Sequence, residues 1–395
     1  MFALWGFAVA TAFLPSIYAA PFLPRWWMVA IGLAFVPFNL RAVDERVLWC
    51  LGIGILWSGL TLLWSPVLDG GMMPVAFLVL FALVIIASAS STETDRSNGL
   101  SGFALGMLLS AGIALAQKYF GLTGIIQAGV NTPVGLFFNP EVFAETAAPI
   151  AVWCVLQKSN AHRAIGVIIA AAACCTFERL AIFGLTAGLI YGLIRSWKVS
   201  LVIFSALAVA GFCSMYLKVF DSNERILLWA TALRSITFTG RGVGWWYQAH
   251  PFGREEYVHG DALQLLVECG LPGLAVIAVP VLAWFGKGSR AERACFLVCA
   301  IEFVASFPLH MPATAFVFAV AAGALVARHA DLHLSQLSVR KADDLDLGWQ
   351  AARAVGIHRG SKWRSGMVSV RSACAQYAGL GARSDCPSGA VQCRQ

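Results

Sequence analysis

The sequence is poor in charged residues: only 12% of its 395 residues are Asp, Glu, Lys or Arg, whereas 59% are hydrophobic. Soluble domains carry roughly 25% charged residues, so this composition excludes an ordinary soluble globular protein. Uncharged apolar runs long enough to cross a bilayer, which takes about 20 residues in a helix, recur along the chain. The sequence therefore predicts an all-α integral membrane protein that crosses the membrane many times.

Several patterns that would indicate other chemistry are also missing. The 11 cysteines form no Cys-x-x-Cys pair and no Cys/His spacing typical of a metal site or a disulfide framework. The chain has no Asp-rich metal motif, so we expect no metal ion and no cofactor. The first apolar run has no basic segment before it, and we interpret it as a membrane helix and not as a cleaved signal.

We predict about twelve membrane-spanning helices within residues 1–327. Their approximate positions are 3–20, 22–38, 47–64, 74–90, 101–120, 139–157, 162–176, 180–195, 199–217, 262–285, 292–307 and 311–327. Residues 328–395 hold ten Lys or Arg against five Asp, with little apolar periodicity. This composition predicts a basic, disordered tail suited to contact anionic lipids. Nucleic-acid binding is disfavoured, because the tail has no aromatic platform.

The orientation follows from the basic residues of the short connections. If the N-terminus is cytoplasmic, the short outer connections carry only Arg25 and Arg179. The inner connections carry Arg41, Arg46, Arg96, Lys158, Arg163, Arg195, Lys198, Lys287, Arg290 and Arg293. This bias predicts that both termini are cytoplasmic and that the long loop at 218–261, with its short helices, lies outside.

The long loop contains a predicted helix and a glycine-rich turn. Asp221 and Glu224 have the spacing of a capping box, and apolar residues follow at helical spacing, so 222–236 is predicted to be an amphipathic helix. Arg225 falls in its first turn, where the helix dipole already favours an anion. The turn that includes Gly242-Val243-Gly244 is either a flexible connection or a backbone nest for a phosphate.

His259 lies where the long loop runs into the next apolar segment. Water on one side and low dielectric on the other can move the pKa of a histidine across neutrality. The residues 258–273 are equally compatible with an ordinary surface histidine before a membrane helix that ends in a Gly-rich break at Gly270 and Gly273. Both interpretations stay open on this stretch alone.

Three further charged residues stand out near the predicted outer ends of the spans. Arg179 is a basic residue on the predicted outer side, against the positive-inside trend. It either forms an ion pair with Glu178 or Glu302, or it binds an anionic ligand. Glu145 lies inside an apolar segment, one helical turn after Glu141. An acid inside a membrane helix marks a functional site by default, although a carboxylate at a helix start is also favoured by the dipole.

Taken in order, these fragments resemble the O-antigen ligase and polymerase superfamily of bacterial membrane glycosyltransferases, over roughly residues 40–327. The fragments are Phe138-Asn139-Pro140, Arg179, Arg225 with Trp229, Gly242-Val243-Gly244, His259 with Gly270 and Gly273, and the Pro-rich stretch Phe307–Ala313. Family members usually have Asn, Ser or Gln where this chain has Gly260, and many have Asp where this chain has Ser306.

The resemblance implies a metal-independent, inverting glycosyltransferase of the bacterial inner membrane. Members take a glycan from a polyprenyl diphosphate lipid and join it to an acceptor hydroxyl at the periplasmic face. The acceptor is a lipid A core sugar in the ligases, another glycan in the polymerases and a protein in related oligosaccharyltransferases. By this resemblance Arg179 and Arg225 bind the diphosphate and His259 is the general base. The expected supporting residues are Asn139, Glu145, Gly242, Gly244, Gly270 and Gly273.

Two other classes of membrane protein remain open at this point. A flippase or another transporter would also cross the membrane many times, but it is expected to show internal repeats, which this sequence lacks. A non-catalytic component of a polysaccharide assembly complex would need no base, so an inert His259 would favour it. Within the family, the residues fit a ligase and a polymerase equally.

Overall fold

The structure, a computed structural model, describes residues 1–13, 22–122, 132–194, 224–249 and 258–327, without the side chains of 68–70 and 224–226. Within these ranges the chain is helical, apart from turns and one isolated bridge between Val43 and Ala327. The predicted span at 199–217, the capping residue Asp221 and the tail at 328–395 lie outside the described residues. The all-α prediction is confirmed for the part of the chain that the structure describes.

The helices are numbered here in chain order. They are α1 Phe2–Thr11, α2 Leu23–Leu33, α3 Glu45–Thr61, α4 Leu68–Ser90, α5 Glu93–Phe120, α6 Pro140–Val155, α7 Asn160–Cys174, α8 Arg179–Leu193, α9 Glu224–Ser235, α10 Trp245–Ala249, α11 Asp261–Cys269, α12 Leu274–Trp284, α13 Arg290–Ala305 and α14 Pro312–Val326. Short 3-10 turns lie at Leu40–Ala42 and Leu271–Gly273.

Two helical stretches in the described residues, Gly71–Ser90 and Glu93–Phe120, are long and apolar enough to cross a membrane. The other apolar helices are shorter, from 10 to 17 residues. They coincide with predicted spans, but the number of membrane crossings stays a prediction. The surface also carries large apolar side chains such as Leu56 and Leu63, which are 67% and 81% exposed. Exposed apolar area of this kind suits contact with lipid.

One prediction about the helices is wrong in detail. The apolar segment at 262–285 is not one helix but two, α11 and α12, separated by the turn at Gly270–Gly273. Gly270 has φ 65° and ψ −155°, a conformation that only glycine adopts readily, and it ends α11. Pro272 has no backbone N–H and cannot continue a helix begun before it. The break therefore follows from the same glycines that were predicted to support a site.

Contacts between connections define two ends of the bundle. At one end Arg96 approaches Glu292 at the start of α13, with 3.6 Å between Nε and Oε1. Arg290 donates a hydrogen bond of 2.9 Å to the carbonyl of Tyr191 at the end of α8. Asp44 donates from its backbone to the last turn of α14. We call this the basic end, because Arg96 and Arg290, two of the arginines predicted to be cytoplasmic, lie here.

The opposite end holds the described parts of the long loop, and we call it the loop end. Ser65, just after α3, donates a 2.7 Å hydrogen bond to the carbonyl of Val243 in the glycine turn. The Tyr119 hydroxyl, near the end of α5, lies 3.6 Å from the Cys175 sulfur in the α7–α8 turn. The start of α11 and the turn before α14 meet at this end as well, through the backbone of Asp261.

The centre of the bundle is formed by α6 and α14. Every residue of α14 is buried, as are residues 142–154 of α6. A helix that is apolar on all sides is stable only when other elements surround it, and α14 is packed by α4, α13 and α12. Its small residues permit close approach: a Cβ at Gly323 would lie 2.5 Å from the carbonyl oxygen of Ile85. Polar groups at the loop end of these two helices are therefore shielded from solvent.

Candidate functional site

The glycine turn before α10 is docked on the end of α11. The backbone N–H groups of Arg241 and Gly242 each donate a 2.9 Å hydrogen bond, to the carbonyls of Val267 and Glu268. The last carbonyls of a helix have no partner within the helix, so the turn caps α11. These two N–H groups are thus occupied, which argues against the interpretation of the turn as a phosphate nest. Gly244 continues the turn with φ 83°.

The two glycine motifs interlock. A Cβ at Gly242, where φ is 97°, would lie 2.6 Å from the Cα of Ser65. A Cβ at Gly270 would lie 2.3 Å from the carbonyl oxygen of Phe238, and one at Gly273 would lie 2.8 Å from that of Leu265. Neither motif leaves room for a side chain. Their role in the structure is to let the loop, α3 and the α11–α12 break approach one another.

His259 precedes α11 and is held in an unusual backbone conformation. Its φ is 53°, in the left-handed region that non-glycine residues rarely adopt. Its side chain is half-buried, and its ring packs edge-on against Phe307 with 5.3 Å between the ring centroids. Gly260 follows in extended conformation as the residue before α11, and a Cβ there would lie 2.8 Å from the carbonyl oxygen of Val304. A larger side chain does not fit here without a shift.

Asp261 fastens the start of α11 to the turn before α14. Its backbone N–H donates to the carbonyl of Ser306 at 2.8 Å. One carboxylate oxygen accepts from the N–H of Leu309 at 2.6 Å, and the other lies 2.7 Å from Nδ1 of His310. Asp261 is only 1% exposed, so these bonds form in a region of low dielectric where they are strong. The histidine motif and the Pro-rich stretch 307–313 are thus in direct contact.

His310 lies between two carboxylates of α11. Burial lowers the pKa of His310, but the charge and hydrogen bond of Asp261, together with the charge of Glu268, outweigh it, so that the pKa is raised above the ordinary value. Glu268 is itself held in place, because Oε1 accepts from the backbone N–H of Trp246 at 3.3 Å and from Gln264 at 3.4 Å. The cationic form of His310 is therefore favoured, in contrast to what a general base requires.

A cavity of about 40 Å³ lies beside these groups. Its polar wall is formed by Asp261, Gln264, Glu268 and His310, and its opposite wall includes Ser58 of α3 with Phe77 and Leu78 of α4. This volume holds a water molecule or two but not a sugar ring. The cavity is thus a part of the support behind the turn.

The helix that carries Arg225 is attached next to His259. The indole N–H of Trp229 donates a 3.0 Å hydrogen bond to the carbonyl of Val258, the residue before His259. Leu228 and Ala232 of the same helix pack with Trp246 in a small separate core. The predicted helix at 222–236 is confirmed over Glu224–Ser235. The side chain of Arg225 lies outside the described part, but its backbone is one helical turn before Trp229.

Arg179 is at the loop end but on a different connection. It is the first residue of α8 and is exposed to solvent. The preceding turn is tight: Phe177 has φ 60°, and the N–H of Glu178 donates to the Thr176 hydroxyl at 3.1 Å. Lys118 lies over the Phe177 ring at 5.6 Å, which adds a second cation to this region. Arg179 starts α8 whereas His259 precedes α11, and the proximity of the two side chains stays a prediction.

The remaining predicted residues have mainly structural environments. Asn139 accepts a 2.8 Å hydrogen bond from the N–H of Glu141 and so caps α6. Glu145 is buried, and one of its oxygens accepts from the hydroxyl of Ser306 at 2.8 Å. Glu302 does not pair with Arg179: it is fully buried, and neither carboxylate oxygen has a hydrogen-bond partner in the described structure.

The sequence did not lead to a prediction that Asp261, Glu268 and His310 belong to the candidate site. A signal was present, since an acid follows His259 by two residues and a histidine lies inside the Pro-rich stretch. Their pairing is not visible in sequence, because Asp261 and His310 are 49 residues apart. In the described ranges no group of three or more His, Cys, Asp or Glu side chains is arranged to hold a metal ion. No protein-family model and no curated protein matches the chain.

Proposed function

We propose that this chain is a membrane glycosyltransferase of the O-antigen ligase type. It transfers a glycan from a polyprenyl diphosphate-linked donor to an acceptor hydroxyl of a lipid A core sugar, at the periplasmic face of the bacterial inner membrane. The observation that carries the proposal is the convergence of separate sequence fragments on His259. The first loop helix and the Pro-rich stretch attach at Val258 and Asp261, on either side of His259, and the glycine turn docks on the end of the helix that follows, at Val267.

In the proposed reaction, the imidazole of His259 takes the proton of the acceptor hydroxyl. The acceptor oxygen then attacks the anomeric carbon of the donor, and the bond between that carbon and the diphosphate oxygen breaks with inversion. The departing diphosphate gains negative charge, which Arg225 and Arg179 stabilise by charge-assisted hydrogen bonds. The half-buried position of His259 against Phe307 keeps the imidazole oriented while one side faces the substrates.

The burial of the neighbouring groups supports His259, and not His310, as the base in this proposal. His310 is engaged by Asp261 through Nδ1 and faces a cavity too small for a sugar. Its raised pKa also disfavours His310 as the base, because it favours the protonated imidazole, which cannot take a further proton from a hydroxyl.

The test is a transfer assay with purified protein, a polyprenyl diphosphate-linked glycan and either core lipid A or a second lipid-linked glycan as acceptor. A general base contributes about 10²–10⁴-fold, so His259→Ala should lose activity on that scale. The matched control is His250→Ala, in the same loop but outside the described residues, which should stay near wild type. Equal activity of the two variants would remove His259 as the base. The acceptor that is used distinguishes a ligase from a polymerase.

The proposed orientation has its own test. Compartment reporters fused at Gly253, in the long loop, and at Gly360, in the tail, should report opposite sides of the membrane. The same side for both fusions would place the loop in the cytoplasm or make the number of spans wrong. Either result would separate His259 from a periplasmic acceptor.

A further inference from the structure

The left-handed backbone of His259 needs an explanation. A non-glycine residue with φ 53° is strained, and such a conformation persists only where its surroundings determine it more strongly than local preference does. The flanking Gly260 offers no side chain for this purpose. The contacts around it include the ring of Phe307, the hydrogen bond of Trp229 to Val258 and the attachment of Asp261, two residues further on.

The contacts of Phe307 and Asp261 converge on one turn, residues 306–310. Phe307 of this turn packs against the His259 ring, and the same turn binds Asp261 at three points: the carbonyl of Ser306, the N–H of Leu309 and the ring of His310. The turn thus holds both the side chain of His259 and the backbone just after it. A shift of the turn away from α11 would release both at once.

We propose that Asp261 and His310 form a clamp that positions His259, a role that rests on the proposed function of the chain. The charged groups that face His310 are Asp261 and Glu268, both from α11, and the walls from α3 and α4 contribute Ser58, Phe77 and Leu78, which carry no charge. A contact of 2.7 Å between an imidazole nitrogen and a buried carboxylate is a strong, directional fastening. His310 therefore acts through His259 and not on the substrate.

The clamp also accounts for Gly260. A side chain at this position would meet the carbonyl oxygen of Val304, so an amide in that place cannot orient the histidine. Asp261 orients it instead from the next residue, through the 306–310 turn. The Asp261–His310 pair thus takes over the positioning role of the amide side chain that Gly260 lacks.

The experiment compares Asp261→Asn and His310→Gln with the wild type in two measurements. The first is the rate at which diethyl pyrocarbonate acylates His259, followed by mass spectrometry of the peptide, which needs no substrate. Loss of the clamp should raise this rate several-fold, because the ring leaves Phe307. The second is transfer: kcat should fall by about 10–10²-fold, the range expected for a misplaced catalytic group, while the KM for the donor stays within about twofold.

The matched control is His162→Gln. His162 is also a partly buried histidine with one hydrogen bond, 3.0 Å to the Ser101 hydroxyl, but it lies toward the basic end. It should change neither measurement. If Asp261→Asn fails to fold, Phe307→Leu takes its place, because it removes the ring beneath His259 and leaves the Asp261–His310 pair intact. It should raise acylation of His259 in the same way.

The outcomes separate the clamp from the proposed function. Folded variants with wild-type acylation and wild-type kcat overturn the inference, and so does a change in only one of the two measurements. A wild-type protein that transfers no glycan overturns the proposed function. In that case the acylation rates alone decide whether Asp261 and His310 hold His259, and unchanged rates reject the clamp as well.

Discussion

Replacement of Gly270 by alanine is the sharpest test of the arrangement around His259. With φ 65° and ψ −155°, Gly270 occupies a region that costs other residues about 1–3 kcal/mol. The new Cβ would lie 2.3 Å from the carbonyl oxygen of Phe238 and 2.4 Å from the N of Gly240, and both atoms are backbone. Overpacking of this kind costs a further ~1–3 kcal/mol. We therefore expect Gly270→Ala to lose about 2–6 kcal/mol, a large part of the ~5–15 kcal/mol that stabilises a typical protein.

The assay is thermal unfolding of the purified protein in detergent, together with limited proteolysis of the long loop. The matched control is Gly112→Ala, because Gly112 lies within α5 and a Cβ there meets nothing within 4 Å. Alanine is favoured over glycine in a helix by about 0.5–1 kcal/mol, so the control should be as stable as wild type or slightly more stable. A Gly270→Ala protein that unfolds at the temperature of the control, with an unchanged loop, would refute the interlocked glycine motifs.

Three further predictions follow from the charged and polar groups. If Arg225 and Arg179 each contact two oxygens of the diphosphate, Lys cannot replace them, because its ammonium lacks the planar guanidinium. Replacement of either arginine by Lys should therefore abolish most transfer while the protein level stays normal. Near-normal transfer would show that the arginine is only a surface charge. Because the pKa of His310 is raised on folding, its interactions contribute a stability that is fully present below the ordinary histidine pKa of about 6.5 and is lost as the pH rises through the raised value. The difference in unfolding temperature between wild type and His310→Gln should therefore shrink as the pH rises from about 6 to about 9. Ser306→Ala removes a hydrogen bond to the buried Glu145 and should cost about 1–3 kcal/mol in chemical unfolding. Glu302→Gln should cost less, because neither carboxylate oxygen of Glu302 has a hydrogen-bond partner to lose in the described structure.

The helices could be predicted from the sequence because apolar runs and their boundaries are local signals. Helix starts match simple capping rules: Thr92 accepts from the N–H of Asp95 at the start of α5, and Ser289 forms a capping box with Glu292 at the start of α13. A break at Gly270 was predicted only as one interpretation of 258–273, and the span at 262–285 was still predicted as continuous, because its apolar composition outweighs two glycines in any average over a span. Its backbone conformation depends on the docking of Phe238, which is remote in sequence.

The site could be predicted only in part. The sequence indicated that His259 lies at a boundary between loop and helix, and the structure gives it a place at the start of α11. The residues that contact α11 around this boundary are distant in sequence. Asp261 reaches the turn before α14, and Trp57 of α3 donates a 2.7 Å hydrogen bond to the carbonyl of Cys269. Pairings of this kind depend on how helices pack, and a single sequence contains no direct signal for them.

The occupied N–H groups of the glycine turn constrain where a diphosphate can bind. Arg241 and Gly242 donate to α11, so this turn does not supply the positive groups that a leaving diphosphate requires. That requirement falls instead on the arginines at the loop end. Of these, Arg225 is attached most directly to the base, since Trp229, one turn later in α9, binds the residue before His259. The base and the leaving group must lie on opposite sides of the anomeric carbon for inversion. In the proposed reaction, a donor held between the first turn of α9 and the exposed side of His259 would meet this condition, with the diphosphate on the side of α9.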